Sequence, residues 1–356
     1  MKRAVALLAL WLANGACIGE AVPVQVQQYG VWLANELPAP EHPADYVKGI
    51  ALGLHLRSDA RHYESYLWEI RQTGATHVSL VVQWSIPDVR ATTISASMEH
   101  TAPDEDLRQV IRTAHALGLE VSLFPILWVE QRAPGEWRGV LRPVDVDAFF
   151  SSYRAFILHY ARIAADEDVA LFSIGSELSS LEVFTSQWRS VASEVRTVAP
   201  EARLTYSANW DHFAHVRFWD ALDYVGVTGY YELAATDDRD PDVRALVDAW
   251  DPVLDRLDET ARRHERPVLL TEVGYFSQIG TTHHPWDYTR REPVSLSSQW
   301  DAYVALYMAL QARTNVGGVF VWNWFGDGGA MDNGYTPRNK PAEQLLRWWF
   351  GAHEAQ

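Results

Sequence analysis

The chain has 356 residues, 48% hydrophobic and 21% charged, the composition of a folded soluble protein with ample chain for one large core. A formal net charge of −16 would repel nucleic acid and anionic membrane, so both are set aside as partners. The single cysteine excludes an internal disulfide and a cysteine-built metal site.

The chain opens with Lys2 and Arg3, a short apolar stretch over residues 4–12, and small residues up to Cys17. This reads as a secretory signal over residues 1–19, too short to span a bilayer, and implies an exported protein. Cys17 stands where a lipoprotein signal places its cysteine, but Asn14 stands where such a signal usually has an aliphatic residue. A discarded signal and a lipid anchor, the one membrane attachment the sequence allows, both stay open. Residues 20–46 are Pro-rich and irregular, a linker or a segment draped over the body. Residues 47–356 form the folded unit.

From Val47 onward, short apolar runs alternate with longer amphipathic ones. Strands are expected at 49–54, 77–82, 120–126, 170–174, 203–207, 224–228, 268–271 and 318–322. Helical periodicity fills 63–73, 104–117, 146–165, 184–198, 243–263 and 297–313. Asp104, Asp145 and Ser297 are the expected N-caps; Gly74, Gly118 and Pro267 mark returns to strand. Strands alternating with helices imply parallel pairing, and eight such units predict a single (β/α)₈ barrel. A doubly wound open sheet is the alternative. The phosphate-binding glycine motifs that such sheets often carry are missing from the sequence.

The fourth strand runs through Gly175 and Ser176 into Glu177, where an apolar run should end; the seventh ends in Glu272, in LLTEVGY. In a barrel, reactive side chains sit just past the C-terminal ends of the strands. Strands four and seven lie on opposite sides, so the two acids can face each other across the mouth. One carboxyl kept protonated and one ionised is what glycoside hydrolysis requires. A glutamate at a strand end is more often a solvated loop residue; two of them, at these two strands and with tryptophans around them, point to a reactive pair. Trp84, Trp128, Trp210, Trp322 and Trp324 all fall near predicted strand ends, and sixteen Trp with fifteen Tyr suit stacking on sugar faces.

On the motifs GSEL (175–178), SANWD (207–211), GVTGYY (226–231), LLTEVGY (269–275) and VFVWNWF (319–325), the chain resembles the clan A retaining glycoside hydrolases. It looks most like family 113, whose characterised members are chiefly β-1,4-mannanases. The resemblance spans roughly residues 48–349. It implies Glu177 as acid/base, Glu272 as nucleophile, Tyr230 as hydrogen-bond partner of the nucleophile, and Trp322 as floor of the sugar subsite at the cleaved bond. It also implies a β-linked polysaccharide or oligosaccharide, most of all β-1,4-mannan, as substrate, with no metal or organic cofactor. Most of the clan has Asn where Ser176 stands; Asn209 is the candidate substitute for the sugar 2-hydroxyl contact. Gln83-Trp84 stand where an arginine is often seen. Burial beside an ionised Glu272 is expected to keep Glu177 protonated.

Trp84, Ser176, Asn209, Trp210, Tyr230, Trp322 and Trp324 are thus the expected substrate contacts. Glu130 and Asp327 are further acids near strand ends. His283-His284 sit in the 280–293 loop, which reads as a wall of the cleft; with His212 and His215 on another unit they make only a weak metal cluster. Three other readings stay open: a clan A hydrolase or transglycosylase of another β-glycan specificity, a non-catalytic carbohydrate-binding barrel, and a metal-dependent barrel hydrolase. The third lacks an HxH pattern after the first strand, at residues 54–57.

Overall fold

The computed structural model describes residues 37–40, 43–54, 61–235, 239, 241–311 and 313–351. The expected signal, Cys17 and most of the 20–46 segment lie outside the described residues. Leu37 packs into the core, and the Pro38 carbonyl accepts the Tyr307 hydroxyl at 2.6 Å.

Eight parallel strands close into a barrel in chain order: β1 (Val47–Gly53), β2 (His77–Ile86), β3 (Glu120–Val129), β4 (Leu171–Ser176), β5 (Arg203–Ala208), β6 (Val225–Thr228), β7 (Val268–Val273) and β8 (Val316–Val321). The β1–β8 pairing, Val47↔Gly318 to Ile50↔Val321, seals it. The helices between them are α1 (Arg61–Gln72), α2 (Asp104–Ala116), α3 (Val146–Asp166), α4 (Thr185–Val198), α5 (Val243–His264), α6 (Leu296–Leu310) and α7 (Pro341–Trp349). The fifth unit departs from expectation. Two 3₁₀ turns, Phe213–His215 and Trp219–Ala221, follow β5 in place of an α-helix, and buried Phe213, Phe218 and Trp219 cover that strand.

Two expected caps move. Asp145 caps α3, accepting from the Ala148 amide at 2.9 Å. Asp104 instead lies inside the first turn of α2, with Glu105 and Asp106, where carboxylates favour the positive end of the helix. Ser295, not Ser297, caps α6. That helix also stops at Leu310; Arg313, past its end, reaches Asp251, Asp255 and Asp258 at 2.6–3.0 Å.

Both faces of each strand are buried, so side chains alternate between the barrel interior and the helix layer. Val47, Leu171, Tyr224, Leu269 and Phe320 plug the lower interior. Gly49 makes room for that plug: a Cβ there would lie 2.2 Å from the Phe320 ring. Above it, Ala51, Val81, Phe124 and Ile126 form an apolar layer that carries Trp322. The site is built on that layer.

Candidate active site

The mouth of the barrel holds a cleft of about 950 Å³. Glu177, from the tip of β4, and Glu272, from β7, both line it, at 8% and 6% exposure. Their backbones are specially held. β4 ends because Glu177 adopts φ 55°, a left-handed turn that costs a non-glycine residue about 1–2 kcal/mol. Three contacts hold the turn. The Glu177 amide donates to Ser207 O at 2.8 Å, and the Leu178 amide donates to the Tyr206 hydroxyl at 2.9 Å. That hydroxyl in turn donates to Glu182 Oε1 at 2.9 Å.

Glu272 sits where the register of β7 shifts against β6 and β8, so that Thr228 pairs with Glu272 and Val273 with Val321. Bulges of this kind re-aim a side chain. Gly274 then lets β7 pass β8: a Cβ there would lie 2.4 Å from Trp322 O.

The Tyr230 hydroxyl donates to Glu272 Oε2 at 3.0 Å, and Arg138 Nη2 donates to Glu177 Oε2 at 2.5 Å. Burial first, and then the negative charge of Glu177, push the Glu272 carboxyl up to about 8; Arg138 and the Tyr230 hydrogen bond act the other way. Burial also raises the Tyr230 phenol well above its ordinary value, so it stays a proton donor. Arg138, supplied from the loop after β3, is the cation at the pair, and its hydrogen bond is to Glu177.

Asn209, Trp210, Tyr230 and Trp322 line the cleft as expected, and so does Trp128. Asn209 Nδ2 donates to Asp211 Oδ1 at 2.7 Å, which turns it along the β5 rim. Three expected contacts lie elsewhere. Trp84 faces the helix layer, 5.2 Å from the His159 ring and 5.4 Å from Phe156, and borders a separate hollow of about 180 Å³. Its neighbour Gln83 is the β2 residue that reaches the cleft, one position over in the strand alternation. Trp324 is fully buried in the outer core and donates to Glu69 Oε2 at 2.9 Å. Ser176 is buried beside the site, its Oγ closed off and without a hydrogen-bond partner, so it does not line the cleft. Glu130 and Asp327 also lie outside the cleft lining.

The 280–293 loop walls the cleft as expected, but the individual loop side chains that line it were not named from the sequence. Trp137 and Arg138 come from the β3–α3 connection, Trp286 and Tyr288 from β7–α6, and Tyr335 from β8–α7. Trp286 and Tyr288 are 45% and 62% exposed, unusual for rings that line a wall. Glu232 fixes this wall, accepting from Trp286 Nε1 at 3.3 Å and meeting His284 Nδ1 at 2.9 Å. The Tyr335 hydroxyl donates to Pro285 O at 2.5 Å and its ring stacks on Phe276, 3.8 Å between centroids. The signal available was the density of Trp and Tyr in otherwise polar loops. His283-His284 thus belong to a wall. Among the described residues, no group of three or more His, Cys, Asp or Glu could hold a metal ion.

The family model for Glycoside Hydrolase Family 113 matches residues 58–339, most of the barrel. The chain belongs to glycoside hydrolase family 113. Among solved structures it is similar to the family 113 β-mannanase AaManA from Alicyclobacillus acidocaldarius, in complex with ManMIm. That match has 27% identity and a TM-score of 0.76, covering 86% of this chain and 97% of that one. A second family 113 β-1,4-mannanase, at 24% identity and a TM-score of 0.75, covers 86% and 99%. A Faecalibacterium prausnitzii β-glucuronidase, at 17% identity and 0.59, shares the fold over 49% of its own chain. No curated protein matches. The chain is thus a family 113 glycoside hydrolase, and its substrate is a carbohydrate.

Proposed function

We propose that this hydrolase is a retaining, endo-acting β-1,4-mannanase that works by double displacement. The observation that carries the mechanism is the pair of buried carboxyls, Glu177 and Glu272, on opposite strand tips of one cleft, with Tyr230 on Glu272. The specificity rests on the family and on the similarity to the mannanase AaManA.

In the first step, a Glu272 oxygen attacks the anomeric carbon. The bond to the leaving oxygen breaks, and that oxygen takes the proton of Glu177. In the second, water attacks the same carbon and yields its proton to Glu177, while the ester electrons return to Glu272. The Tyr230 hydroxyl orients Glu272 and steadies its charge. Trp322 lies under the reacting sugar, and Trp128, Trp210 and Trp286 offer faces for sugars further along. The cleft's aromatic lining suits a chain of pyranoses. The N-terminal signal reading, with export to the envelope or beyond, suits a polymer too large to enter a cell.

The test is reducing-sugar release by residues 20–356 from β-mannans, β-glucans, xylan and chitosan, with Glu272→Ala beside it. Mannan cleavage lost in the variant supports both parts. Cleavage of another glycan, also lost, keeps the mechanism and moves the specificity. Cleavage that persists in Glu272→Ala refutes the mechanism. Products of many lengths at early times mark endo action, whereas one short product refutes it.

A further inference from the structure

Double displacement asks two opposite things of Glu177. It must give a proton in the first step and accept one in the second. The empty site is set for only one of these. Arg138 sits on the short turn Arg138–Val140 and lies 2.5 Å from Glu177 Oε2. A charge-assisted contact of that length favours the carboxylate, which suits a base and opposes an acid.

The other charged or titratable groups facing the pair come from every neighbouring element. Glu272 and Tyr230 face it from β7 and β6, Tyr335 from the β8–α7 loop, Asp211 from the β5 rim and Glu182 from behind β4. None of these is a cation; His100 also lines the cleft, its ring 6.0 Å from that of Trp128, and His212 Nδ1 lies 3.6 Å from Glu182 Oε2. Arg132 also lines the cleft, but it is stacked over Trp128, 4.5 Å from the ring centroid. Among these groups Arg138 is the cation in direct contact with the pair.

Two observations bear on how firmly the contact is held. Glu177 is anchored to the barrel through its own amide and that of Leu178, while Arg138 reaches over from a loop turn. Arg138 lines the cleft, and its Nε is buried without a hydrogen-bond partner. A buried guanidinium donor left unused is destabilising. Once the side chain has moved off Glu177, a glycan hydroxyl would satisfy it.

On the double-displacement reading above, we propose that Arg138 is a positioning residue that switches Glu177 between acid and base. It seats on Glu177 in the empty site and in the glycosyl-enzyme, and is drawn off onto the glycan while the glycosidic oxygen is protonated. In the glycosyl-enzyme Glu272 is an ester and carries no charge. Arg138 then has one carboxylate to attend, and Glu177 is a base ready for water.

The experiment is the pH dependence of kcat/KM, on the glycan that the substrate panel selects, for wild type, Arg138→Met and Arg138→Lys. An opposite charge this close lowers a carboxyl pKa by about 1–3 units, so its loss moves both limbs of the bell to higher pH by about one unit. Arg138→Lys keeps the charge and is expected to hold both limbs near wild type. With an aryl glycoside whose leaving group needs no proton, only the second step uses Glu177. There Arg138→Met is expected to move the acid limb of kcat upward. Should Arg138→Met fail to fold, Arg138→Gln is expected to show the same shifts. A uniform fall in kcat/KM with unmoved limbs would overturn the switch and leave Arg138 a loop or substrate contact. Glu177→Ala and Glu272→Ala run alongside: activity surviving in both would refute the two-carboxyl reading itself, whatever Arg138 does.

Discussion

Glu182 is a buried carboxyl that the reaction does not use, and it makes a sharp prediction. It lies behind the left-handed turn at Glu177, accepts from the Tyr206 hydroxyl, and has His212 Nδ1 3.6 Å from Oε2, too far for a hydrogen bond. Burial pushes its carboxyl up from 4.5 to about 8, and the charges of Asp211 and Glu177 push the same way. The folded protein therefore holds a proton that the unfolded chain gives up at about pH 4.5. Stability must fall as pH rises through the window from about 4.5 to 8. At about 1.4 kcal/mol per unit, Glu182 alone costs about 3 kcal/mol on going from pH 4.5 to pH 7. Glu182→Gln keeps the acceptor for Tyr206 and removes the titration. Its advantage over wild type should grow by about 3 kcal/mol across that window, a gap of about 5 °C in melting temperature. Thermal and urea unfolding at a series of pH values measure it. A gap that stays constant would refute the reasoning and mean that Glu182 does not titrate across that window.

Three further outcomes are expected. Tyr206→Phe strands the Leu178 amide and Glu182, costs about 1–3 kcal/mol in urea unfolding, and lowers kcat more than it raises KM, because the turn under Glu177 loosens. Trp84→Ala lowers the melting temperature and leaves kcat/KM unchanged, whereas Trp210→Ala raises KM for oligosaccharides, both read by steady-state kinetics and scanning fluorimetry. Lys340→Met removes a buried ammonium bonded to Ser277 Oγ, Asp332 Oδ1 and Gly334 O, and should cost about 2–3 kcal/mol while loosening the loop that carries Tyr335.

The barrel itself was legible because each unit repeats a strong contrast. A parallel strand buried on both faces reads as an unbroken apolar run, and the helix after it reads as a 3.6-residue stripe. That same property hid the orientation of side chains. In the run VSLVVQWSI of β2 nothing marks which face is inside, so Trp84 and Gln83 were equal candidates by position. By residue type the large ring is the better ligand for a sugar, yet it is the one that fills the helix layer, against Phe156 and Tyr160. Trp324 failed for a related reason: it follows β8, where strand alternation no longer applies, and its indole nitrogen finds Glu69 on α1. Arg138 was illegible because the β3–α3 loop has no period to place it, and its partner lies 39 residues away in sequence.

Glu272 was found for a reason that strict alternation would have denied. Along β7, Leu269 faces the barrel interior, while Val268, Leu270 and Val273 pack into the outer layer. Alternation carried on from Leu269 would put Val273 inside and turn Glu272 toward the helices, where a carboxylate has no place. The register shift between Leu270 and Val273 moves the strand by one residue and reverses the faces. β4 solves the same problem differently, with a shift between Ser173 and Ser176 and then the left-handed turn at Glu177. Each acid thus reaches the cleft through a local defect in an otherwise regular ladder, and each defect is held by hydrogen bonds from a neighbouring strand or loop. The apolar runs that fold the barrel cannot by themselves place a charge at its mouth. The irregularities do that, and for this reason the tips of β4 and β7 are where changes in backbone support should alter catalysis more than stability.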